Sequence, residues 1–406
     1  MWEQIRSNQI RSVALVIIMG IILLLIGYFV GLYFFDSAIA GLVIALIVWG
    51  IMNLIALFQG DSIILGMSGA TKIGPQDHPR LYNVVEEMKI ASGLEKMPDV
   101  YIIDDPALNA FSTGRSPDHT AVAITSGLLD KLNRDELEGV IGHEIGHIKN
   151  RDIRLMLLAS ILLGAIVILA WYATRILFFS GMAGGGSSRR RGSAGGGGGV
   201  VMLIVLVVGL ILMILAPIMA QLIYFAISRR REYLADASSA LYTRYPEGLA
   251  SALEKLAAST SQLKSANKAT APMYIINPFR KKGMSASDLT STHPPISERI
   301  RILRSMAGGA SFVDYDQAYR QVHKTSRRIV PASAMAIGAI GLRAAGLEVT
   351  EKEPDKIQRA RETSDLLWRR SDYKTITCDC GTKLRVPPGF KASSIRCPHC
   401  GRINPI

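Results

Sequence analysis

Residues 139–152 read GVIGHEIGHIKNRD, and this stretch holds the chemistry of the chain. His143 and His147 sit four apart with Glu144 between them, in a chain with only 7 histidines. On a helix, positions i and i+4 share a face, so both imidazoles can reach one metal ion. Glu144 is offset from that face but close enough to touch a water held by the ion. Two histidines with a carboxylate as general base suit metal-assisted hydrolysis. The plain alternative is a surface helix with unrelated histidines. Two ligands do not complete a site, so a third donor must exist.

The elements that must position these residues follow from the pattern around them. Leu137, Val140, Ile141, Ile145 and Ile148 recur at helical spacing. Asn133 followed by Glu136 reads as a capping box at the helix start. Upstream, 99–103, 109–114 and 119–125 read as short strands.

Hydrophobic residues make up 49% of the 406, gathered in uncharged runs at 13–35, 38–60, 155–174 and 200–228. Each approaches or exceeds the roughly 20 residues that cross a bilayer as helix. Buried core helices are the alternative, but four such runs predict a multi-pass membrane protein. The net charge of +13 gathers beside the runs, at Arg6, Arg11, Arg151, Arg154, Arg229, Arg230 and Arg231. Basic residues flanking spans fit anionic lipid, and no basic–aromatic interleaving argues for nucleic acid. The charges place the N-terminus in the cytoplasm of a cell membrane. Residues 61–152 and everything after 228 follow it there, and 176–199 lie outside. Arg189, Arg190 and Arg191 in the Gly-rich outer loop oppose that reading.

Topology then limits the third ligand to the segment after 228. Glu232 in RRREYLADA is the first carboxylate there, and Asp236 lies four residues on. Glu232 can complete a His–His–Glu set, with Asp236 hydrogen-bonded to an imidazole. Its ordinary alternative is pairing with the neighbouring arginines.

Taken together, HEIGHIKNRD, EYLAD, NAFSTG (109–114) and THPPISER (292–299) resemble the HtpX family of membrane-integrated zinc metalloproteases, relatives of the CAAX prenyl endopeptidases. The likeness covers roughly residues 1–305. It implies a mainly α membrane protein with four transmembrane helices and a gluzincin-like α+β metalloprotease domain. It implies catalytic zinc on His143, His147 and Glu232, with Glu144 as base. It further implies substrate contacts at Asn109, Ala110 and Phe111, and oxyanion stabilisation by His293, which Arg299 orients. An edge strand beside the zinc helix would pair with an extended substrate. Substrates are expected among membrane-associated or misfolded proteins at the cytoplasmic face. A prenyl-protein endopeptidase is the narrower rival, and a catalytically idle membrane scaffold the broader one.

The C-terminus departs from that family pattern. All four cysteines, Cys378, Cys380, Cys397 and Cys400, form C-x-C and C-x2-C pairs sixteen residues apart. Four thiolates in two close pairs suit a closed structural zinc site, a zinc ribbon. Gly381 and Gly401 after each pair permit the tight turns. Two disulfides are the alternative, which a cytoplasmic location disfavours. A protein-binding role is expected of the ribbon. The expected organisation is a membrane hairpin (1–60), a protease part (61–152) and a second hairpin (153–228) whose Gly-rich loop is 181–199. A second protease part (229–310), a linker with a solvated helix (311–371) and the ribbon (372–406) follow.

Overall fold

The computed structural model describes residues 2–34, 36–116, 118–161, 229–259, 261–264, 270–276, 278, 293–306, 308–335, 340–343, 353–370, 373–387, 389–390 and 392–406. Helices α1 (Trp2–Phe34) and α2 (Ala38–Phe58) form an antiparallel hairpin. Both are long and apolar enough to cross a membrane, over Ile5–Leu25 and Ala38–Phe58, with mean hydropathy 2.1 and 2.5. Their outward faces carry exposed Val13, Ile17, Ile21, Ile47 and Ile51, which suits lipid rather than water. They cross closely: a Cβ on Gly41 would lie 2.0 Å from the Gly27 carbonyl oxygen. Small residues permit such an approach in a membrane. Of the four expected spans, these two lie within the described residues. The third is helical over 155–161, and its remainder and the whole of 200–228 lie outside them.

A short helix, α3 (Gly60–Met67), leads into a four-stranded sheet. Its strands are β1 (Ala70–Ile73), β2 (Asp99–Ile103), β3 (Ala110–Ser116) and β4 (His119–Thr125), in the order β1-β2-β4-β3. Strands β2 and β4 are parallel; the other two pairings are antiparallel. Strand β3 is therefore an edge. Helix α4 (Pro79–Ser92) links β1 to β2, and α5 (Ser126–Lys131) follows β4.

Helix α6 (Arg134–Lys149) carries the two histidines. Its capping box is present: Asn133 Oδ1 accepts from Glu136 N at 2.8 Å, and Glu136 Oε2 accepts from Asn133 N at 2.8 Å. Satisfying both donors fixes where the helix starts, and hence where His143 falls along it. Helix α7 (Arg229–Thr243) packs directly on α6. The contact is close because α6 offers glycine: a Cβ on Gly146 would sit 2.9 Å from Ser238 Cβ.

Helices α8 (Pro246–Ala258), α9 (Ile296–Arg304) and α10 (Phe312–His323) complete the body. One hydrophobic core joins Val122 and Ile124 of the sheet, Val140 and Ile145 of α6, and Leu249 and Leu253 of α8. The segment read from sequence as a linker belongs to the same core, which holds Phe312, Tyr315, Ile329 and Val330. Helix α11 (Lys356–Arg370), expected to be solvated, packs against α5 and buries Leu366 in that core. Its charged residues cover the opposite side, which is why the sequence alone looked polar throughout. Two small hairpins close the chain: β5 (Lys374–Thr377) with β6 (Lys383–Val386), and β7 (Ser394–Arg396) with β8 (Ile403–Pro405).

Candidate metal centres

Helices α6 and α7 bring His143, His147 and Glu232 together, with ligand atoms all within 4.8 Å of one another. His143 Nε2 lies 3.8 Å from Glu232 Oε2, and His147 Nε2 lies 3.6 Å from Glu232 Oε1. Each imidazole is held from behind. Asp236 Oδ1 is 2.9 Å from His143 Nδ1, and Asp152 Oδ2 is 3.0 Å from His147 Nδ1. Hydrogen bonds at Nδ1 fix the tautomer and leave Nε2 to bind a metal. The two rings stand nearly perpendicular, at 88°.

Buried polar atoms left without a partner test whether a cation fits. His143 Nε2, Glu232 Oε2 and Glu144 Oε1 are all buried and lack a hydrogen-bond partner. Native interiors seldom leave such atoms unpaired. Two of them, His143 Nε2 and Glu232 Oε2, belong to a set with His147 whose ligand atoms lie within 4.8 Å, the His–His–carboxylate donor set of a zinc site. The residues fit the ion.

The electrostatics agree at His143, Glu144 and Glu232, whereas His147 is held above its ordinary value, burial being outweighed by Asp152, Glu232 and Glu144. Burial pushes His143 down to about 4, against the pull of Asp236. Burial likewise pushes Glu144 up to about 7, with His147 and Ser112 opposing it. Burial opposes ionisation of Glu232 too, but His293, His147, His143 and Arg299 outweigh it and bring it down to about 2. Neutral imidazole and ionised carboxylate are the forms a metal requires.

Glu144 is fixed by a residue whose role was not foreseen. Ser112 Oγ of the edge strand donates to Glu144 Oε2 at 2.8 Å. It sits inside the NAFSTG stretch, so the signal was present without a function attached. A second unforeseen residue lies in the membrane hairpin: Asn8 Nδ2 donates to Asp152 Oδ1 at 2.5 Å and to the Asn150 carbonyl at 3.3 Å.

The remaining residues read from sequence fall around this centre. His293 Nε2 is 3.9 Å from Glu232 Oε2, and its ring is hydrogen-bonded to the Tyr274 backbone. Arg299, expected from the sequence to orient His293, forks onto Asp236. Arg299 Nε and Nη2 donate to its two oxygens at 2.8 and 2.6 Å, and Nη1 donates to the Ile275 carbonyl at 3.2 Å. A planar fork matches a carboxylate in this two-point way.

Asn109 is buried and engaged: its Nδ2 donates to the Ile276 carbonyl at 3.2 Å and its Oδ1 accepts from Ala110 N at 3.1 Å. Ile275 N donates to the Ala110 carbonyl at 2.9 Å, and Phe111 bridges to Tyr274. One end of the edge strand is thus covered by the chain's own residues 274–276. The N–H and C=O of Ser112, two residues on, face the same edge by alternation.

The cysteines form the second centre. Cys378 Sγ is 3.5 Å from Cys400 Sγ, and Cys380 Sγ is 3.7 Å from Cys397 Sγ. All four are free thiols within 4.8 Å of one another. A disulfide would need about 2.05 Å. Tetrahedral zinc with bonds of about 2.3 Å separates its sulfurs by about 3.8 Å, close to what is seen. Gly381 and Gly401 take φ of 81° and 75° under the cluster, a region where L side chains are strained.

A His–His–Glu centre on two facing helices, beside a further buried carboxylate and an edge strand, defines a zinc-dependent peptidase. A model of peptidase family M48 matches residues 75–307. A protease HtpX homolog of Dictyoglomus turgidum is 46% identical over 305 residues, covering 75% of this chain and 94% of the relative. The counterpart in Dictyoglomus thermophilum is 44% identical over 305 residues, covering 75% and 94%. One from Streptococcus pneumoniae is 46% identical over 306 residues, covering 75% and 100%. The crystal structure of S. mikatae Ste24p is similar with a TM-score of 0.41 and 20% identity, over 75% of this chain and 67% of that one. The chain belongs to peptidase family M48. It is a membrane-associated zinc metalloprotease with a four-cysteine zinc centre at its C-terminus.

Proposed function

We propose that the protein is a multi-pass membrane endopeptidase that cuts membrane-associated or misfolded proteins at the cytoplasmic face. The observation that carries this reading is the pose of Glu144. One oxygen is held by Ser112, while the other is buried, unpaired and beside the His–His–Glu set. An idle scaffold has no use for a carboxylate held in that state.

Zinc, when bound, acidifies water and polarises a carbonyl. Glu144 takes the proton from the attacking water and delivers it to the leaving amine. A carboxylate pushed up to about 7 by burial is poised for both transfers near neutral pH. When doubly protonated, His293 donates to the oxygen of the tetrahedral intermediate from the Glu232 side, its other N–H serving the Tyr274 backbone. Asp236 and Asp152 hold the imidazoles, and Arg299 keeps Asp236 ionised and in place. The substrate pairs as an extended strand with the edge at Ser112, and residues 274–276 end the groove. Asn109, Ala110 and Phe111 shape it by anchoring that segment. Only an unfolded or extended chain can present a backbone edge in this way, which selects misfolded protein.

The basic residues flanking α1 and following the fourth apolar run support a cytoplasmic catalytic body and C-terminus. The ribbon contributes a protein-recognition surface, and nucleic acid has no matching feature. The test uses the Glu144→Gln variant in membranes with unfolded and membrane-bound substrates. Loss of cleavage with zinc retained supports the mechanism; retained turnover overturns it.

A further inference from the structure

A cavity of about 770 Å³ opens between the membrane hairpin and the protease body. One end is apolar, walled by Val13 and Ile17 of α1 and by Trp49 of α2. Those helix faces are the ones long and apolar enough to lie in a bilayer. The other end is bounded by three arginines: Arg115 at the end of β3, and Arg151 and Arg154 just beyond α6. Arg115 is anchored by a 3.4 Å hydrogen bond to the Phe58 carbonyl. Arg151 and Arg154 are exposed, and among the described residues none of the three is in an ion pair. Asn8 and Ser12 line the wall between the two ends.

We infer that this cavity binds an anionic phospholipid, its phosphodiester at the arginine rim and an acyl chain against Val13, Ile17 and Trp49. Three cations with no ion pair among the described residues, lining one cavity, call for an anion. The apolar end, continuous with the membrane helices, calls for the chain that a free phosphate lacks. Arginine suits a phosphodiester because its planar fork donates two parallel hydrogen bonds. The depth matches as well. Asn8 and Ser12 precede Val13 and Ile17 along α1, so polar and apolar walls follow the order of headgroup and acyl chain. Asn8 is also the residue that holds Asp152, so the occupant would sit beside the support of a zinc ligand.

Trp49 provides the reporter. In the full-length chain with Trp2, Trp171 and Trp368 changed to Phe, Trp49 fluorescence is measured in phosphatidylcholine vesicles containing brominated lipid. Brominated phosphatidylglycerol should quench at a mole fraction roughly tenfold or more below brominated phosphatidylcholine. Arg151→Gln and Arg154→Gln should each erode that preference about fivefold. The paired Arg151→Lys and Arg154→Lys variant, which keeps the charge but loses the fork, should retain more of it than the Gln variants and shows that the fold tolerates change there. Soluble glycerol phosphate should not relieve the quenching. Equal quenching by the two lipids, or a preference unaltered in the double Gln variant, would overturn the proposal. So would relief by glycerol phosphate. Relief by an unfolded protein substrate but not by unbrominated phosphatidylglycerol would assign the cavity to substrate and overturn it too.

Discussion

Asn8, in the first membrane helix, donates a 2.5 Å hydrogen bond to Asp152, whose other oxygen lies 3.0 Å from Nδ1 of the zinc ligand His147. The membrane hairpin therefore takes part in orienting the metal site. Asn8→Ala should remove one of the bonds that aim Asp152. A lost outer partner of a metal-binding histidine typically costs about 10–100-fold in affinity. Zinc competition with a chelating indicator should show a loss of about tenfold. Unchanged affinity would mean that the hairpin anchors the protein without shaping its site.

Arg299 is fully buried, and its fork neutralises the equally buried Asp236. Arg299→Leu leaves that carboxylate without its cation, which should cost about 3–5 kcal/mol of stability. Guanidinium unfolding in detergent measures it. Adding Asp236→Leu should restore most of the stability yet leave zinc binding weak, because His143 has lost its partner. Recovery of both properties would show that Asp236 serves only to balance Arg299.

His78 caps α4, its Nδ1 accepting from Leu81 N at 3.2 Å, and burial pushes it down to about 4. The neutral ring is the form the fold holds. Its contribution is complete above pH 6.5, the unfolded value, and is lost as pH falls from there towards 4. The loss amounts to roughly 3 kcal/mol at most. His78→Asn keeps an acceptor at the cap and should flatten the acid side of the stability curve over that window. An unchanged slope would place the acid sensitivity elsewhere.

The ribbon reaches the body through α11. Arg385 pairs with Asp365, donates to Ser364 at 3.0 Å and stacks over Trp368 at 4.8 Å. These contacts are few and polar beside the core that holds the protease together. Deleting residues 372–406 should remove one zinc per chain and leave hydrolysis of a small unfolded substrate within about twofold, since surface contacts of this kind contribute little. It should change which proteins are cut. A collapse of peptide turnover in a folded, membrane-inserted variant would make the tail part of the catalytic unit.

Much of the centre was legible because its residues are local or repeat at helical spacing. His143 and His147 share one helix, and the Asn133–Glu136 box marks its start. Glu232 was reachable only by reasoning from topology across roughly 80 residues of intervening chain. Asn8 was not reachable: an asparagine at the head of an apolar helix carries no mark of a partner 144 residues away. Arg299 was found beside His293 in sequence, but its fork onto Asp236 was not, because only the packing of α9 on α7 presents that carboxylate. The core role of Phe312, Tyr315 and Leu366 was hidden for a different reason. Tyr315 lies between two aspartates and Leu366 in a helix dense in charge, and only the tertiary fold shows that they meet Phe312.

Zinc counted per chain, alongside hydrolysis of an unfolded substrate, tests the central claim most directly. The wild-type protein should carry two zinc ions. Glu144→Gln should carry two and cut nothing. Glu232→Ala should carry one and cut nothing, while Glu247→Ala, a neighbouring control on the surface of α8, should match the wild type in both. Two zinc ions in the Glu232→Ala variant, or cleavage by Glu144→Gln, would contradict the site described here.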